Sequence, residues 1–311
     1  MGVVIHALLD ATLTRHTGRM TTTGTPNRRL IGAVLMVSSG VSNQVGAAVG
    51  SWAFPVIAPV GVVVMRQFVA ALVLVPIARP RLRSFTWAQW WPVLLLGVVF
   101  GVMNLALYSS IERIGLGLAV TLEFLGPLAV ALIGSRSRAA LLCALVAAVG
   151  VVAITQPQPS TDYLGIALGL VAATCWASYI LLNRIVGSRI PGAQGAAAAA
   201  LVSATLFVPV GIAAFLAFPP TLAALGLAVV AGVLSSAVPY IADLTVLRWV
   251  PPGLFGLLMS INPILAALTG AILLSQELNG LEWAGIALVV AANAAGLAVS
   301  SRQSRLARVL P

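Results

Sequence analysis

The sequence is poor in charged residues and contains no lysine. Only 8% of its 311 residues are charged, 60% are hydrophobic, and the mean hydropathy is +1.07. Soluble proteins average about 25% charged residues. The composition therefore excludes a water-soluble domain and predicts a polytopic protein that lies mostly within a lipid bilayer.

Residues that form disulfides, metal centres and common catalytic sites are also scarce. The two cysteines, Cys143 and Cys175, lie in separate apolar runs, and both histidines lie near the N-terminus. No HExxH, GxSxG or metal-ligand spacing occurs. We therefore predict neither an enzyme nor a metal or other cofactor, and we interpret both cysteines as small buried side chains.

Apolar runs recur between residues 31 and 300, separated by short polar breaks. A spanning helix needs about 20 residues. Ten runs fit, at 31–51, 58–78, 91–111, 115–134, 138–156, 163–186, 193–216, 221–246, 252–274 and 281–300. The prediction is an all-α integral membrane protein with ten transmembrane helices and two cytoplasmic tails. The tail at 1–30 is predicted to be disordered, with Met1 and Met20 as candidate starts, and the other tail covers 301–311.

The arginines fall mainly on one side of this arrangement. With the N-terminus in the cytoplasm, fifteen of the 17 basic residues lie in cytoplasmic loops and tails, and Arg113 lies in an outer loop. Such a bias is the positive-inside pattern. It predicts that both termini are cytoplasmic, and it explains the net charge of +10 without nucleic-acid binding.

Two opposite charges lie deep within predicted spans. Arg66 and Glu123 are each about eight residues from the outer ends of the second and fourth spans, with Asn104 of the third span in the same layer. At 1.5 Å per residue this depth is about 12 Å. Lone charges are costly there, so an ionisable group indicates a functional site. Spacing leaves open whether the two charges bind a ligand or clamp two helices together.

Pro127 follows Glu123 by one helical turn. Because proline has no amide hydrogen, the Glu123 carbonyl loses its helical partner, and a carboxylate and a free carbonyl then lie at one level. Asp243, near the cytoplasmic end of the eighth span, is a second acidic candidate. It is either an inner gate or proton site, or a structural residue that contacts interfacial water or Arg248.

The two halves of the chain are partly similar at an offset of 136 residues. Residues 116–132 align without a gap on 252–268, with six of 17 positions identical and Pro127 opposite Pro263. Five spans in each half is an odd number, so the halves must enter the membrane from opposite faces. This predicts two inverted five-helix repeats, 31–156 and 163–300, with a substrate site between them. The charged pair belongs to the first half alone, because Glu123 aligns with Met259.

The run MNLALYSSIERIGLGLAVTLEFLGPLAVAL, at 103–132, resembles the signature of the bacterial threonine/homoserine exporters. These transporters belong to the EamA group of the drug/metabolite transporter superfamily. More general matches lie at 58–76, 173–184, 235–240 and 256–278. The resemblance implies a multi-pass protein of the bacterial inner membrane that exports small amino acids, driven by the proton gradient. Asn262 departs from the pattern, since many relatives have an acid before this proline.

An amino acid is a zwitterion, so a binding site in a low-dielectric interior needs a cation and an anion. We assign Arg66 to the substrate carboxylate, and Glu123 to its ammonium group and to the coupling proton. Candidate contacts to the rest of the substrate are Asn104, Tyr108, Asn262, Trp176 and Tyr179. The predicted gating or coupling residues are Glu123, Asp243, Pro127 and Pro263.

Other functions remain open at this point. A drug, metabolite or nucleoside transporter of the same fold is the main alternative, and a membrane-embedded enzyme or lipid scramblase is less favoured. The expected partners are a small amino acid, protons and the lipid bilayer, with a homodimer left open.

Overall fold

The computed structural model describes residues 26–132, 138–155, 162–239, 242 and 259–309, and within these ranges it contains helices and no strand. Eleven α-helices are numbered here in chain order. They are α1 Pro26–Ser51, α2 Phe54–Ala78, α3 Trp87–Ile114, α4 Leu116–Glu123, α5 Leu125–Leu132, α6 Arg138–Thr155, α7 Tyr163–Arg189, α8 Gln194–Ala217, α9 Leu222–Gly232, α10 Asn262–Leu274 and α11 Gly280–Val309. A 3-10 turn covers Leu82–Ser84, and a π-helical turn, Val233–Ala237, extends α9.

Five of these helices, α1, α2, α3, α7 and α8, are long and apolar enough to cross a membrane. Shorter apolar helices occupy the other five predicted spans. The prediction of an all-helical membrane protein is therefore confirmed. Two helices extend into the predicted tails: α1 begins at Pro26, and α11 continues to Val309. A proline is favourable in a first helical turn, where its missing donor has no partner to lose. Asp243, Met1 and Met20 lie outside the described residues.

The fourth predicted span is interrupted directly after Glu123. The helix α4 ends there, the Phe124 amide bonds to the Val120 carbonyl at 3.0 Å, and α5 begins at Leu125. Pro127 explains the interruption, because it offers no amide hydrogen to the Glu123 carbonyl. In the ninth span, a turn at Ser260 precedes α10. The internal alignment places Ser260 opposite Phe124, so the two interruptions fall at matching positions.

Helices from the two halves pack in matching pairs. The second spans of each half, α2 and α8, pack together, and so do the fifth spans, α6 and α11. The third span of each half packs on the first span of the other half, as α3 on α7 and α9 on α1. The fourth span of each half also packs on the first span of the other half, as α4 on α7 and α10 on α1. A buried cluster that includes Ile57, Val62, Tyr108 and Val120 lies between the halves.

Asp162 begins α7 and joins it to the end of α3. Its Oδ1 accepts a hydrogen bond from the Gly165 amide at 2.7 Å, and its Oδ2 lies 2.8 Å from Nη1 of Arg113. The Gly165 hydrogen bond first, and then the Arg113 guanidinium, hold the pKa of the Asp162 carboxyl below its usual value. The ionised carboxylate therefore stabilises this end of the bundle.

We expect Asp162→Asn to lower the melting temperature of the detergent-solubilised protein slightly at pH 7, and Asp162→Ala to lower it more. Asparagine removes the charge but still caps the helix. Because the folded pKa is depressed, the contribution is present above the unfolded pKa of about 3.9 and is lost as the pH falls through the folded pKa. The difference between wild type and Asp162→Asn should shrink below about pH 4. An equal difference at pH 7 and pH 3 would contradict this.

Candidate substrate site

A cavity of about 750 Å³ lies between the two halves. Its volume is within the usual range of small-molecule sites, about 300–1,000 Å³. All of the predicted substrate-binding residues lie on its wall, namely Arg66, Asn104, Tyr108, Glu123, Trp176, Tyr179 and Asn262. Pro127 also lines the cavity, whereas Pro263 is buried at the start of α10 and is not part of the wall. The structure thus brings these residues to one cavity.

The cavity extends toward the end of the bundle where α2 and α7 finish. Leu74 and Arg184 line this part, which the arginine pattern predicts to be cytoplasmic. At the opposite end, Gln276 Oε1 accepts a hydrogen bond from the Leu116 amide at 2.9 Å. Gly115, with a φ of 83°, permits this contact, because a Cβ there would lie 2.9 Å from Gln276 Oε1. The loop after α10 therefore packs on the start of α4 at that end.

Arg66 is buried, with 7% exposure, and is held by groups of the second half. Its Nη2 donates to the Ser235 carbonyl at 3.3 Å and to Ser236 Oγ at 3.5 Å. The guanidinium carbon lies 4.7 Å from the centroid of the Tyr108 ring. Its Nε is buried and has no hydrogen-bond partner among the described residues. The guanidinium therefore has donor capacity left for a ligand in the cavity.

The π-helical turn that holds Arg66 is fixed against α1 by two hydrogen bonds. Ser42 Oγ donates to the Leu234 carbonyl at 2.9 Å, and Ser235 Oγ donates to the Asn43 carbonyl at 2.8 Å. Gly46 allows this approach, since a Cβ there would lie 2.7 Å from the Leu234 Cβ. Turns of this type inside α-helices often occur at functional sites. Here the turn presents the Ser235 carbonyl to Arg66.

Glu123 lies at the end of α4 with 6% exposure. Its carboxylate makes no hydrogen bond or ion pair with any residue in the described part of the chain; the ion pair found there joins Arg113 and Asp162. Arg66 and Glu123 thus share a cavity but do not form a salt bridge. This arrangement does not support the interpretation of the two charges as a clamp between helices.

The neutral candidates differ in how far their polar groups are already used. Asn104 Nδ2 donates to the Phe100 carbonyl of its own helix at 2.8 Å. The Tyr108 hydroxyl is fully buried and lacks a partner among the described residues. Asn262 Nδ2 donates to the Met259 carbonyl at 3.0 Å, and its Oδ1 accepts from Gln44 Nε2 at 3.5 Å.

Aromatic side chains form another part of the wall. The rings of Trp176 and Phe124 meet edge to face, with their centroids 4.5 Å apart. The ring centroids of Tyr179 and Phe100 are 6.1 Å apart. Edge contacts of this kind are favourable for aromatic rings. Trp176 and Tyr179 therefore shape the cavity through ring packing.

Sequence reasoning missed several residues that line the cavity. Ser39, Asn43 and Gln44 of α1 were not placed in the predicted site, and Asn293 of α11, a neutral mid-membrane group in the sequence, was not assigned to substrate binding. A glutamine inside an apolar span is a usable signal, because buried polar groups in membranes are rarely without a role. The contact between Ser235 and Arg66 carried no comparable signal, because it uses a backbone carbonyl.

Comparisons with known proteins identify the family. Residues 163–295 match the EamA-like transporter family. The chain is 34% identical over 281 residues to the threonine/homoserine exporter RhtA of Salmonella typhimurium (strain LT2), covering 89% of this chain and 94% of that protein. The Escherichia coli (strain K12) exporter of the same name is 34% identical over 278 residues, covering 88% and 93%.

A solved crystal structure shares the fold, with a TM-score of 0.57 at 19% identity, and the match covers 88% of this chain and 99% of that one. The relatives are transporters and not enzymes. Because it is 34% identical to these exporters over 89% of its length, the chain belongs to the EamA-like transporter family of multi-pass membrane proteins.

Proposed function

We propose that the protein exports small amino acids of the threonine or homoserine type across the bacterial inner membrane in exchange for protons. One observation carries the proposal: Arg66 and Glu123 are buried on one cavity wall, unpaired with each other, and both have hydrogen-bonding capacity left. A bound zwitterion would place its carboxylate on the guanidinium and its ammonium on Glu123. The similarity to threonine/homoserine exporters supports this substrate class.

The transport cycle is alternating access between two inverted five-helix repeats. The matching helix pairs and the coinciding interruptions at Phe124 and Ser260 support this architecture. In such transporters, one repeat rocks against the other around a site at their interface. With both termini cytoplasmic, the cavity extends toward the cytoplasm, and the contact between Gln276 and Leu116 closes the outer side.

Glu123 couples the two fluxes by binding either a proton or the substrate's ammonium. An unpaired carboxylate inside the membrane is costly, so the carrier changes its access only when Glu123 holds one of the two. Substrate released outside is replaced by a proton. That proton is released to the cytoplasm when the next substrate binds, so one proton enters for each amino acid exported.

Counterflow in proteoliposomes tests this function. Vesicles loaded with threonine should take up labelled threonine or homoserine faster than empty vesicles, and a pH gradient should drive net threonine movement. Absence of exchange with any amino acid, in protein shown to be folded by thermal melting, would overturn the proposal.

Transport of an aromatic metabolite or nucleoside is the second candidate. The aromatic wall of Trp176, Tyr179, Phe100 and Phe124 favours it, as does a cavity larger than one small amino acid needs. Uptake of labelled nucleosides, in the absence of amino-acid exchange in the same vesicles, would select this candidate over the first.

A further inference from the structure

Charged and neutral polar side chains of the cavity come from different helices, and we call the two sets its charged side and its neutral side. Its buried charges, Arg66 and Glu123, come from α2 and α4 of the first half. A set of neutral polar side chains comes from α1, α10 and α11. Its members are Ser39, Asn43, Gln44, Asn262 and Asn293. The charged side suits the ammonium and carboxylate common to all amino acids, so selection among side chains falls to other groups.

Gln44 is the most deeply buried member of this set for which a contact across helices is seen. It is 2% exposed, and its Nε2 donates to Asn262 Oδ1 over a long 3.5 Å. Its Oε1 accepts no hydrogen bond from any residue in the described ranges. An amide can accept and donate, so Gln44 retains an acceptor and a second N–H donor at the cavity wall.

Asn262 and Gly40 fix the position of this amide pair. Asn262 uses Nδ2 on the Met259 carbonyl at 3.0 Å, which turns its Oδ1 toward Gln44. Gly40 permits the approach of α1, since a Cβ there would lie 2.8 Å from Asn262 Oδ1. Tyr108 packs against Arg66 and so belongs to the charged side. The amide pair of Gln44 and Asn262 is therefore the neutral polar group of the site that is already held in position.

We infer that Gln44, supported by Asn262, is the group that recognises a hydroxyl on the substrate side chain. The inference rests on the proposed function and specifies how the same site selects its substrate. A hydroxyl can donate to Gln44 Oε1 and accept from its free N–H. Valine has the shape of threonine but no hydroxyl, so it displaces water from the amide and leaves the amide unpaired. A site built to hydrogen-bond a hydroxyl rejects such an analogue.

The test compares initial counterflow rates of labelled threonine and valine in proteoliposomes. In Gln44→Met, which keeps the length of the side chain but not its hydrogen bonds, we expect the threonine-to-valine rate ratio to fall about tenfold. The valine rate should not fall below that of wild type, because methionine removes the amide that valine leaves unpaired. Only a change in selectivity distinguishes recognition from a structural role.

Gln67→Met is the matched control. Gln67 is equally buried on α2, but its Oε1 accepts from Ser203 Oγ at 3.2 Å and it does not line the cavity. We expect its rate ratio to equal that of wild type. If Gln44→Met fails to fold, Asn262→Ala replaces it, because it removes the acceptor that holds the Gln44 amide, and the same direction of change is expected.

The outcomes are distinct. A wild-type ratio in folded Gln44→Met overturns the inference while the proposed function stands. Wild-type protein that exchanges no amino acid at all overturns the proposed function, and the inference with it.

Discussion

Replacing Glu123 by glutamine should abolish proton-driven export of threonine while leaving the protein folded. Glutamine has the same shape, but it neither binds an ammonium as an anion nor carries a proton. Glu123 is 6% exposed and has no ion-pair partner among the described residues, so its removal strands no other charge in a salt bridge. Loss of a hydrogen bond to a charged group corresponds to about a 10- to 150-fold weaker interaction. We expect threonine transport below about one hundredth of the wild-type rate, because coupling is lost together with affinity.

Two measurements test this prediction separately for binding and for coupling. Counterflow without a gradient reports substrate binding, and net flux driven by a pH gradient reports coupling. Glu112→Gln is the matched control, because Glu112 is an exposed acid near the end of α3 and is not on the cavity wall. It should transport like wild type. Gradient-driven threonine flux at the wild-type rate in folded Glu123→Gln would remove Glu123 from the mechanism.

The predictable part of the site follows from the cost of polar groups in a membrane. In a chain with so few charges, Arg66 and Glu123 stand out because each interrupts an apolar run. The helical rise per residue then placed them, with Asn104, at one depth in the membrane. The structure brings all three to the same cavity. The helical class was predictable for the same reason, since a bilayer tolerates only chains that satisfy their own backbone.

The contacts within the site could not be predicted, because they depend on tertiary packing that no local pattern encodes. The sequence left open whether Arg66 and Glu123 touch, and in the structure Arg66 contacts Ser235, Ser236 and the Tyr108 ring. Ser235 acts through its backbone carbonyl, in a π-helical turn that its side-chain chemistry does not specify. Gln44 is a polar residue in an apolar run, but its contact with Asn262 forms only when α10 packs beside α1.

The contacts of Arg66 join the two halves of the chain. Arg66 belongs to the first half, whereas Ser235 and Ser236 belong to the second. Two hydrogen bonds of 3.3 and 3.5 Å to neutral oxygens are weaker than a contact with a carboxylate, which is charge-assisted. These contacts use Nη2 and leave Nε without a partner among the described residues, so we expect a substrate carboxylate to bind while the second half keeps the guanidinium in position.

Gly46→Ala is expected to disturb this arrangement from a distance. The added Cβ would lie 2.7 Å from the Leu234 Cβ and 2.8 Å from the Ser235 amide nitrogen, and it would also meet Ser235 Oγ. Backbone cannot yield as a flexible side chain can, so α1 and the π-helical turn must separate. Overpacking of this kind costs about 1–3 kcal/mol. Because the turn holds Arg66, we expect the half-saturating threonine concentration in counterflow to rise about tenfold, the equivalent of 1.4 kcal/mol.

Gly226→Ala provides the comparison, because a Cβ at Gly226 of α9 would meet no heavy atom within 4 Å. Alanine in an open helical position should leave transport unchanged and stabilise the fold by about 0.4–1 kcal/mol. Ser236→Ala is the milder test at the turn, since it removes one hydrogen bond to Arg66 without overpacking. Gly46→Ala could lower the melting temperature while both Gly46→Ala and Ser236→Ala keep the wild-type half-saturating threonine concentration. In that case the π-helical turn serves only to pack α1. A raised concentration in both, at near-normal maximal rate, means that the second half positions Arg66 for the substrate.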